Sequence, residues 1–306
     1  MSCSIRITTW HGLEAHVFEN DRYEAIILPD YGANCIALRD KKTGMPLLRE
    51  PADPAALVAS AYIYGLPILF PPNRIRNGVF TFQGREYVLP INDAPRNSHI
   101  HGLLAKMRFE PQGEGRYVYE ATAQQPYITF GHIFKMERRY ALTDEGLTHE
   151  IVVTNTSAQD MPLAIGMHTA YAADETDTLR IPVCSQIDLD DNFLPTGSTQ
   201  EENALIVSLR EGTLVTEMHD LSDQFTVAPG IWVMHRGALD FCFEPDPAFR
   251  FLMLWNQGGH RGFVCPEPQT CSVNAFKQAI PSQDTGADVL SAGESRSWRM
   301  RFFVMR

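Results

Sequence analysis

The chain has 306 residues, of which 44% are hydrophobic, so it can bury a large core. Its formal net charge of −11 at pH 7 argues against a nucleic acid or an anionic membrane as a partner. The six cysteines include no Cys-x-x-Cys pair, which indicates reduced, mostly buried thiols instead of a disulfide framework.

The first residues lack the apolar stretch of a secretory signal. The longest apolar run, residues 55–70, contains Gly65 and Pro67 and is shorter than the roughly 20 residues that cross a bilayer. We therefore expect a soluble, cytoplasmic protein without a membrane segment, present as a monomer or a homodimer.

The first clear elements are one short helix and one hairpin. Asp53-Pro54 precedes a run of good helix formers, which predicts a helix that begins there. Residues 79–82 and 85–89 alternate apolar and polar side chains around Gln83-Gly84, and this pattern predicts a β-hairpin.

A second hairpin is predicted by the alternating runs 137–143 and 147–153, which flank Asp144-Glu145-Gly146. Further strands, rich in β-branched and aromatic residues, are predicted at residues 23–28, 116–121, 179–187, 231–235, 238–243, 249–255 and 296–305. Strands and helices do not alternate as a parallel sheet requires. The chain is therefore predicted to be all-β, a single large antiparallel domain over residues 1–306 with one or two short helices.

Polar residues that could bind a ligand follow a turning segment near the first hairpin. Residues 65–78 combine glycines and prolines with Asn73, Arg74 and Arg76. Arginine offers a fixed fork of donors that suits vicinal hydroxyls or a carboxylate. A loop with solvated arginines is the alternative for this stretch taken alone.

Two histidines follow in His99-Ile100-His101-Gly102. On a strand this spacing puts both rings on one face, as in some metal sites of small β-barrels. A carboxylate that would complete a cupin-like site is missing in the residues that follow, so no metal is predicted. His99 is interpreted as structural, whereas His101 is a candidate site residue because Gly102 leaves room beside it for a ligand.

The third histidine and an unusual carboxylate lie far apart in the sequence. His168 follows an almost wholly apolar run, and small neighbours leave space beside it. Glu267 stands in Cys265-Pro266-Glu267-Pro268, where two prolines restrict the backbone and so aim the carboxylate. Burial at the end of an apolar strand raises the pKa of a carboxyl toward useful base strength.

Taken in order, these segments resemble the aldose 1-epimerases, also called galactose mutarotases. The resemblance covers most of the chain and rests on five motifs. They are Gly-x-Pro-x-Leu-Phe-Pro-x-Asn-Arg-Ile at residues 65–75, His101-Gly102, His168, Leu194-Pro-Thr-Gly197 and Pro266-Glu267-Pro268. It implies a galactose mutarotase-like supersandwich, a large antiparallel β-sandwich, that interconverts the α and β anomers of a hexose without a cofactor.

The resemblance also implies roles for single residues. Glu267 would be the general base at the anomeric hydroxyl, and His168 the general acid at the ring oxygen. His101 would assist at the ring oxygen or hold the substrate, while Arg74 and Asn73 would bind the sugar.

Two departures from the family pattern bear on the substrate. Thr169-Ala170 intervene between the acid histidine and its following aromatic, Tyr171. Ser222 stands where the family has a substrate-binding aspartate, so we expect Asp223, or else Asp220, to take that role.

Three alternatives remain at this stage. A hexose-6-phosphate 1-epimerase would need a basic cluster in the pocket, to which Arg74, Arg76 and Arg96 could contribute. A carbohydrate-binding protein without activity would not need Glu267 and His168 together. A metal-dependent, cupin-like isomerase or oxygenase would use His99 and His101.

Overall fold

The computed structural model describes residues 3–125, 127, 131–278 and 282–305, and β-strands form most of it. The strands of the first half are β1 Ser4–Trp10, β2 Leu13–Glu19, β3 Tyr23–Leu28, β4 Asn34–Asp40, β5 Met45–Pro46, β6 Ile68–Leu69, β7 Arg74–Arg76, β8 Val79–Phe82, β9 Arg85–Val88, β10 Ser98–Ile100, β11 Glu110–Pro111, β12 Arg116–Ala121, β13 Phe134–Thr143 and β14 Gly146–Asn155. Those of the second half are β15 Met161–Leu163, β16 Gly166–Met167, β17 Tyr171–Ala172, β18 Thr178–Arg180, β19 Val183–Leu189, β20 Pro195–Gln200, β21 Leu214–Val215, β22 Ser222–Val227, β23 Trp232–Arg236, β24 Leu239–Glu244, β25 Phe251–Trp255, β26 Phe263–Gln269, β27 Asp288–Leu290 and β28 Ser295–Met305.

Helices are short throughout the described residues. The α-helices are α1 Pro54–Ala59, α2 Ala204–Glu211 and α3 Ser282–Thr285, and 3₁₀ turns lie at Ala61–Ile63, Ala94–Arg96, Leu104–Lys106, Thr216–Met218 and Ala275–Lys277. The Asp53 side chain caps α1 by accepting from the Ala56 N–H at 2.8 Å, as the sequence predicts. Asn203 caps α2 in the same way. No helix in the part of the chain that the structure describes is long and apolar enough to cross a membrane.

Three large sheets contain most of the strands. One has nine strands in the order β11-β12-β13-β14-β28-β24-β23-β18-β21, and one has five in the order β1-β2-β3-β4-β5. The third has eight strands, in the order β20-β19-β22-β25-β26-β16-β6 with β17 also paired to β26. Both predicted hairpins are present, as β8–β9 and β13–β14, and their pairings are antiparallel. The all-β prediction is confirmed.

One predicted strand is wrong. Residues 179–187 form two strands, β18 and β19, which belong to different sheets. Pro182 lies between them and has no N–H for a ladder, so the run of β-forming residues is interrupted there.

The core joins the sheets to one another. Along β14 alternate residues are buried, as expected for a strand with one covered face. One apolar cluster includes Phe18 of the five-stranded sheet, Phe134 of the nine-stranded sheet and Phe225 of the eight-stranded sheet. The eight-stranded sheet is the one that carries the candidate site.

Candidate active site

Glu267 lies in the middle of β26, opposite Met253 of β25. Only 2% of its surface is exposed. One carboxylate oxygen, Oε2, accepts a hydrogen bond from Gln269 Nε2 at 3.1 Å. Gln269 is two residues further along the strand and therefore on the same face, so it orients the carboxylate.

The prolines beside Glu267 interrupt the sheet on one side. The Thr270 N–H donates to Ile165 O at 2.9 Å, and alternate residues of a strand face the same neighbour, so Pro266 and Pro268 face this side too. Neither has an N–H to donate. The ladder resumes beyond them, where Tyr171 of β17 pairs with Val264.

His168 lies in this interrupted stretch, between β16 and β17. Gly166 pairs with Gln269 on one side, and Tyr171 with Val264 on the other, a register that sets His168 opposite Glu267. The His168 Nε2 atom lies 3.1 Å from Glu267 Oε1. Two residues about a hundred positions apart in sequence are thus brought into direct contact.

His101 completes a group of three. Its backbone is left-handed, with φ of 65°, and its ring centroid lies 5.2 Å from that of His168. The Asn73 N–H donates to His101 Nδ1 at 3.3 Å, so the ring proton of the neutral form is on Nε2. Gly102 is required next to it, because a Cβ there would lie 2.0 Å from Phe70 O.

His99 is not part of this group. β10 ends at Ile100, and the left-handed conformation of His101 breaks the alternation that would have put both rings on one face. His99 is fully buried and its Nδ1 atom lies 2.7 Å from Pro90 O, which agrees with a structural role. No three His, Cys, Asp or Glu side chains among the described residues are placed to hold a metal ion.

These groups open into a cavity of about 330 Å³, within the size range of small-ligand sites. The Trp255 ring lies 5.6 Å from that of His168, and the Tyr62 ring lies 5.0 Å from that of His101. The lining consists of Tyr62, Ile63, Asn73, Arg74, Arg96, Ile100, His101, His168, Phe193, Ser222, Met253, Trp255 and Glu267. Aromatic walls with a few converging polar groups suit a sugar, whose ring has both apolar and polar faces.

Burial shifts the pKa values of the contacting pair in opposite directions. It raises the pKa of Glu267 well above its usual range, against the weaker opposing effects of Gln269 and the positive charge of Arg74. It lowers the pKa of His168 to about 3. Both shifts disfavour charge, so the unliganded pair holds one proton between the two side chains over a wide pH range.

Burial also lowers the pKa of His101 well below its usual value, and the nearby His168 and Arg74 act in the same direction. His101 is therefore neutral near pH 7. With Nδ1 accepting from Asn73, its Nε2–H is a hydrogen-bond donor.

The aldose 1-epimerase family profile matches residues 14–302. The chain belongs to the aldose 1-epimerase family. The uncharacterized protein YihR of Escherichia coli K12 is 26% identical over 231 residues, which cover 70% of this chain and 72% of YihR. A galactose mutarotase-like protein from Clostridium acetobutylicum has a TM-score of 0.93 at 24% identity, and galactose 1-epimerase from Lactobacillus acidophilus NCFM has a TM-score of 0.75 at 14% identity. Both alignments cover 99% of each chain, and they confirm the predicted fold.

Arg74 and Asn73 line the cavity of this family member, as the sequence predicts. Arg74 is held by Asp93, whose Oδ2 accepts from Arg74 Nε at 2.8 Å. Asn73 is buried, and its Oδ1 accepts from the Arg74 N–H at 3.0 Å.

Asp223 requires a correction, because the structure does not bring it to the cavity. Ser222 lines the cavity and Gln224 pairs with Met253, so the side chain between them points to the other face of β22. There Asp223 Oδ1 accepts from Gln186 Nε2 at 2.7 Å. Asp220, the other candidate, is exposed and is not among the lining residues.

Several cavity residues were missed by the sequence interpretation, among them Tyr62, Phe193 and Trp255, whereas Ser222 lines the cavity at the position where the family has an aspartate. Tyr62 and Trp255 carry no motif and resemble ordinary core aromatics in the sequence. Phe193 had a signal, because Asp190-Asp191-Asn192 precedes it and such residues form tight turns.

Proposed function

We propose that this protein is an aldose 1-epimerase that interconverts the α and β anomers of a hexose by opening and reclosing the ring. The observation that carries this proposal is the 3.1 Å contact between His168 Nε2 and Glu267 Oε1 at the wall of a sugar-sized cavity. Mutarotation needs one proton acceptor and one proton donor at the same time, and a pair that holds one proton supplies both.

In the proposed mechanism the sugar lies against both members of the pair. In the sugar complex the shared proton moves to His168, so Glu267 is the carboxylate that takes the proton of the anomeric hydroxyl O1, the C1–O5 bond breaks, and His168 gives its proton to the ring oxygen O5. The open aldehyde rotates about C1–C2 and recloses on its other face, with the two residues exchanging roles. Concerted transfer avoids a charged intermediate of the sugar, and each group contributes about 10²–10⁴-fold.

The remaining lining residues support this chemistry. The Nε2–H of His101 is suited to donate to the ring oxygen or an adjacent hydroxyl, because it is neutral and faces the same cavity as His168. Arg74 and Asn73 are suited to bind hydroxyls, and Trp255 to pack against the apolar face of the ring. The mechanism uses side chains alone, with no cofactor or metal.

The direct test is Glu267→Gln, which keeps the shape of the side chain and removes the base. We expect kcat/KM for anomer exchange of glucose and galactose to fall by about 10²–10⁴-fold, measured by polarimetry after subtraction of the spontaneous rate. The matched control is Asp240→Asn, because Asp240 of β24 also contacts a histidine, His235 of β23 at 2.6 Å, and both side chains are partly exposed. The control should keep the parent rate.

Two results would contradict the proposal. Parent-level exchange in Glu267→Gln would show that Glu267 is not the base. Sugar binding by the parent protein without any turnover would indicate a carbohydrate-binding protein on the same fold.

A further inference from the structure

One wall of the cavity carries two arginines on a single aromatic ring. Arg74 and Arg96 both approach Phe193, with Cζ atoms 4.9 Å and 4.7 Å from its ring centroid. Asp93 contacts both guanidiniums, at 2.8 Å from Arg74 Nε and 3.3 Å from Arg96 Nη1. We call these four residues the arginine wall.

The residues of the arginine wall are held in place by the surrounding backbone and its hydrogen bonds. Phe193 is in the left-handed region, with φ of 59°, which is costly for an aromatic residue. The Asp190 carboxylate fixes its loop by accepting from the N–H groups of Asn192 and Leu194. On the other side of the wall, the Asp93 backbone is bonded in both directions to Ser98.

Most donors of this wall are free. Within the described residues, Arg74 bonds through Nε alone and Arg96 through Nη1 alone, and each guanidinium has five N–H groups. The Arg74 side chain is only 13% exposed, and burial lowers its pKa. The Arg96 side chain is more exposed, at 33%. Guanidinium donors that line a cavity and have no acceptor from the described residues can bind a ligand that supplies acceptor oxygens.

The local charge points the same way. Arg74 and Arg96 together carry two positive charges, and Asp93 balances one of them. Glu267 is the one acidic residue that lines the cavity within the described chain, and it shares a proton with His168. The cavity is therefore net positive in a protein whose overall charge is −11.

We propose that the arginine wall is a subsite for an anionic group of the substrate, so that the preferred substrate is an acidic aldose. Its anionic group is a phosphate ester or a carboxylate on a carbon away from C1, because Glu267 and His168 engage O1 and O5. This inference rests on the proposed anomer exchange and narrows its substrate class. Arg96 and Phe193 become specificity residues for this site.

The test compares glucose, glucose 6-phosphate and glucuronate as substrates of the parent protein. Exchange is followed by NMR exchange spectroscopy with the spontaneous rates subtracted. We expect kcat/KM to be at least about 10-fold higher for one of the two acids than for glucose, because charge-assisted hydrogen bonds are stronger than neutral ones. Preference for the phosphate or for the carboxylate identifies the anion, and either supports the subsite.

Substitutions test whether the preference for an acidic sugar over glucose depends on the arginine wall. In Arg96→Gln the ratio of kcat/KM for the acid to that for glucose should fall by about 10-fold or more, mainly through KM, and Arg96→Lys should keep part of it. The matched control is Arg76→Gln, since Arg76 is on the same strand as Arg74 but is exposed and does not line the cavity. It should keep the parent ratio.

Three outcomes would overturn the subsite. They are a parent ratio of about one or lower for both acids, an unchanged ratio in Arg96→Gln, and an equal loss in Arg76→Gln. If Arg96→Gln does not fold, the subsite is tested by the ratio of kcat/KM for the acid to that for glucose in the parent protein and in Arg96→Lys. An unchanged ratio in Arg96→Lys would then overturn it. If no sugar is turned over at all, the proposed function fails, and calorimetric binding of the three sugars to the parent and Arg96→Lys then decides the subsite alone.

Discussion

At the scale of single residues, the site depends on two largely buried side chains that share one proton. The contact between His168 and Glu267 is almost fully buried on both sides, with 6% and 2% of the side chains exposed. A second proton on the pair, or the loss of the shared one, leaves it without an acceptor or without a donor.

This arrangement predicts a broad pH profile. We expect activity to be lost in acid when a second proton is added to the pair at His168, whose pKa is lowered to about 3. We expect it to be lost in alkali when the shared proton is removed from Glu267, whose pKa is raised well above its usual range. We expect kcat/KM to stay within about 2-fold between about pH 5 and about pH 7. A free histidine acting as the base would instead lose activity below its ordinary pKa of about 6.5. A fall of about 10-fold over that interval would contradict the buried, shared proton.

Which residues lie in the cavity could be predicted from the sequence where a backbone motif marks the position. Glu267 between prolines and His101 before Gly102 are such cases, and both lie in the cavity. Asp223 could not be placed, because neighbouring residues of a strand point to opposite faces and only the pairing of β22 with β25 shows which face meets the cavity. The arginine wall depends on a contact between residues 93–96 and Phe193, which no local pattern reveals.

At the scale of elements, the hairpins β8–β9 and β13–β14 were predictable because turn residues and alternation agree over short distances. The order of the sheets was not predictable, since β14 pairs with β28 near the other end of the described chain. The segment from β10 to Gly102 passes so close to the Phe70 backbone that only glycine fits at position 102. We call this close approach the crossing.

Gly102→Ala tests this crossing. The new Cβ would lie 2.0 Å from Phe70 O, and the residue would keep a φ of 68°. We expect the free energy of unfolding to fall by about 3 kcal/mol or more, with loss of anomer exchange because His101 is displaced.

The matched control for the crossing is Gly84→Ala in the β8–β9 turn. Gly84 has a φ of 76°, but no atom lies within 4 Å of its would-be Cβ. Gly84→Ala places a side chain on a left-handed backbone without a clash, so the free energy of unfolding should fall by about 1–2 kcal/mol and the parent activity should be kept. Equal destabilisation by the two substitutions, measured by urea unfolding, would show that the clash at Gly102 relaxes freely.

At the scale of the whole molecule, one apolar cluster reaches all three large sheets. We therefore propose that the chain folds as one domain and predict a single cooperative unfolding transition. Near-ultraviolet and far-ultraviolet circular dichroism should give the same midpoint in denaturant, because no sheet can lose its core face alone. Two separated midpoints would indicate that part of the chain unfolds independently.

The interrupted ladder beside β26 determines where in this sheet a reactive pair of side chains can be placed. A fully bonded sheet is a continuous wall, and its buried faces are filled by packed side chains. Pro266 and Pro268 cannot donate, so they leave a gap in the ladder with the Glu267 carboxylate on one side and the His168 imidazole on the other. The cavity borders this gap, and the two side chains that meet across it are the ones to which we assign the proton transfers.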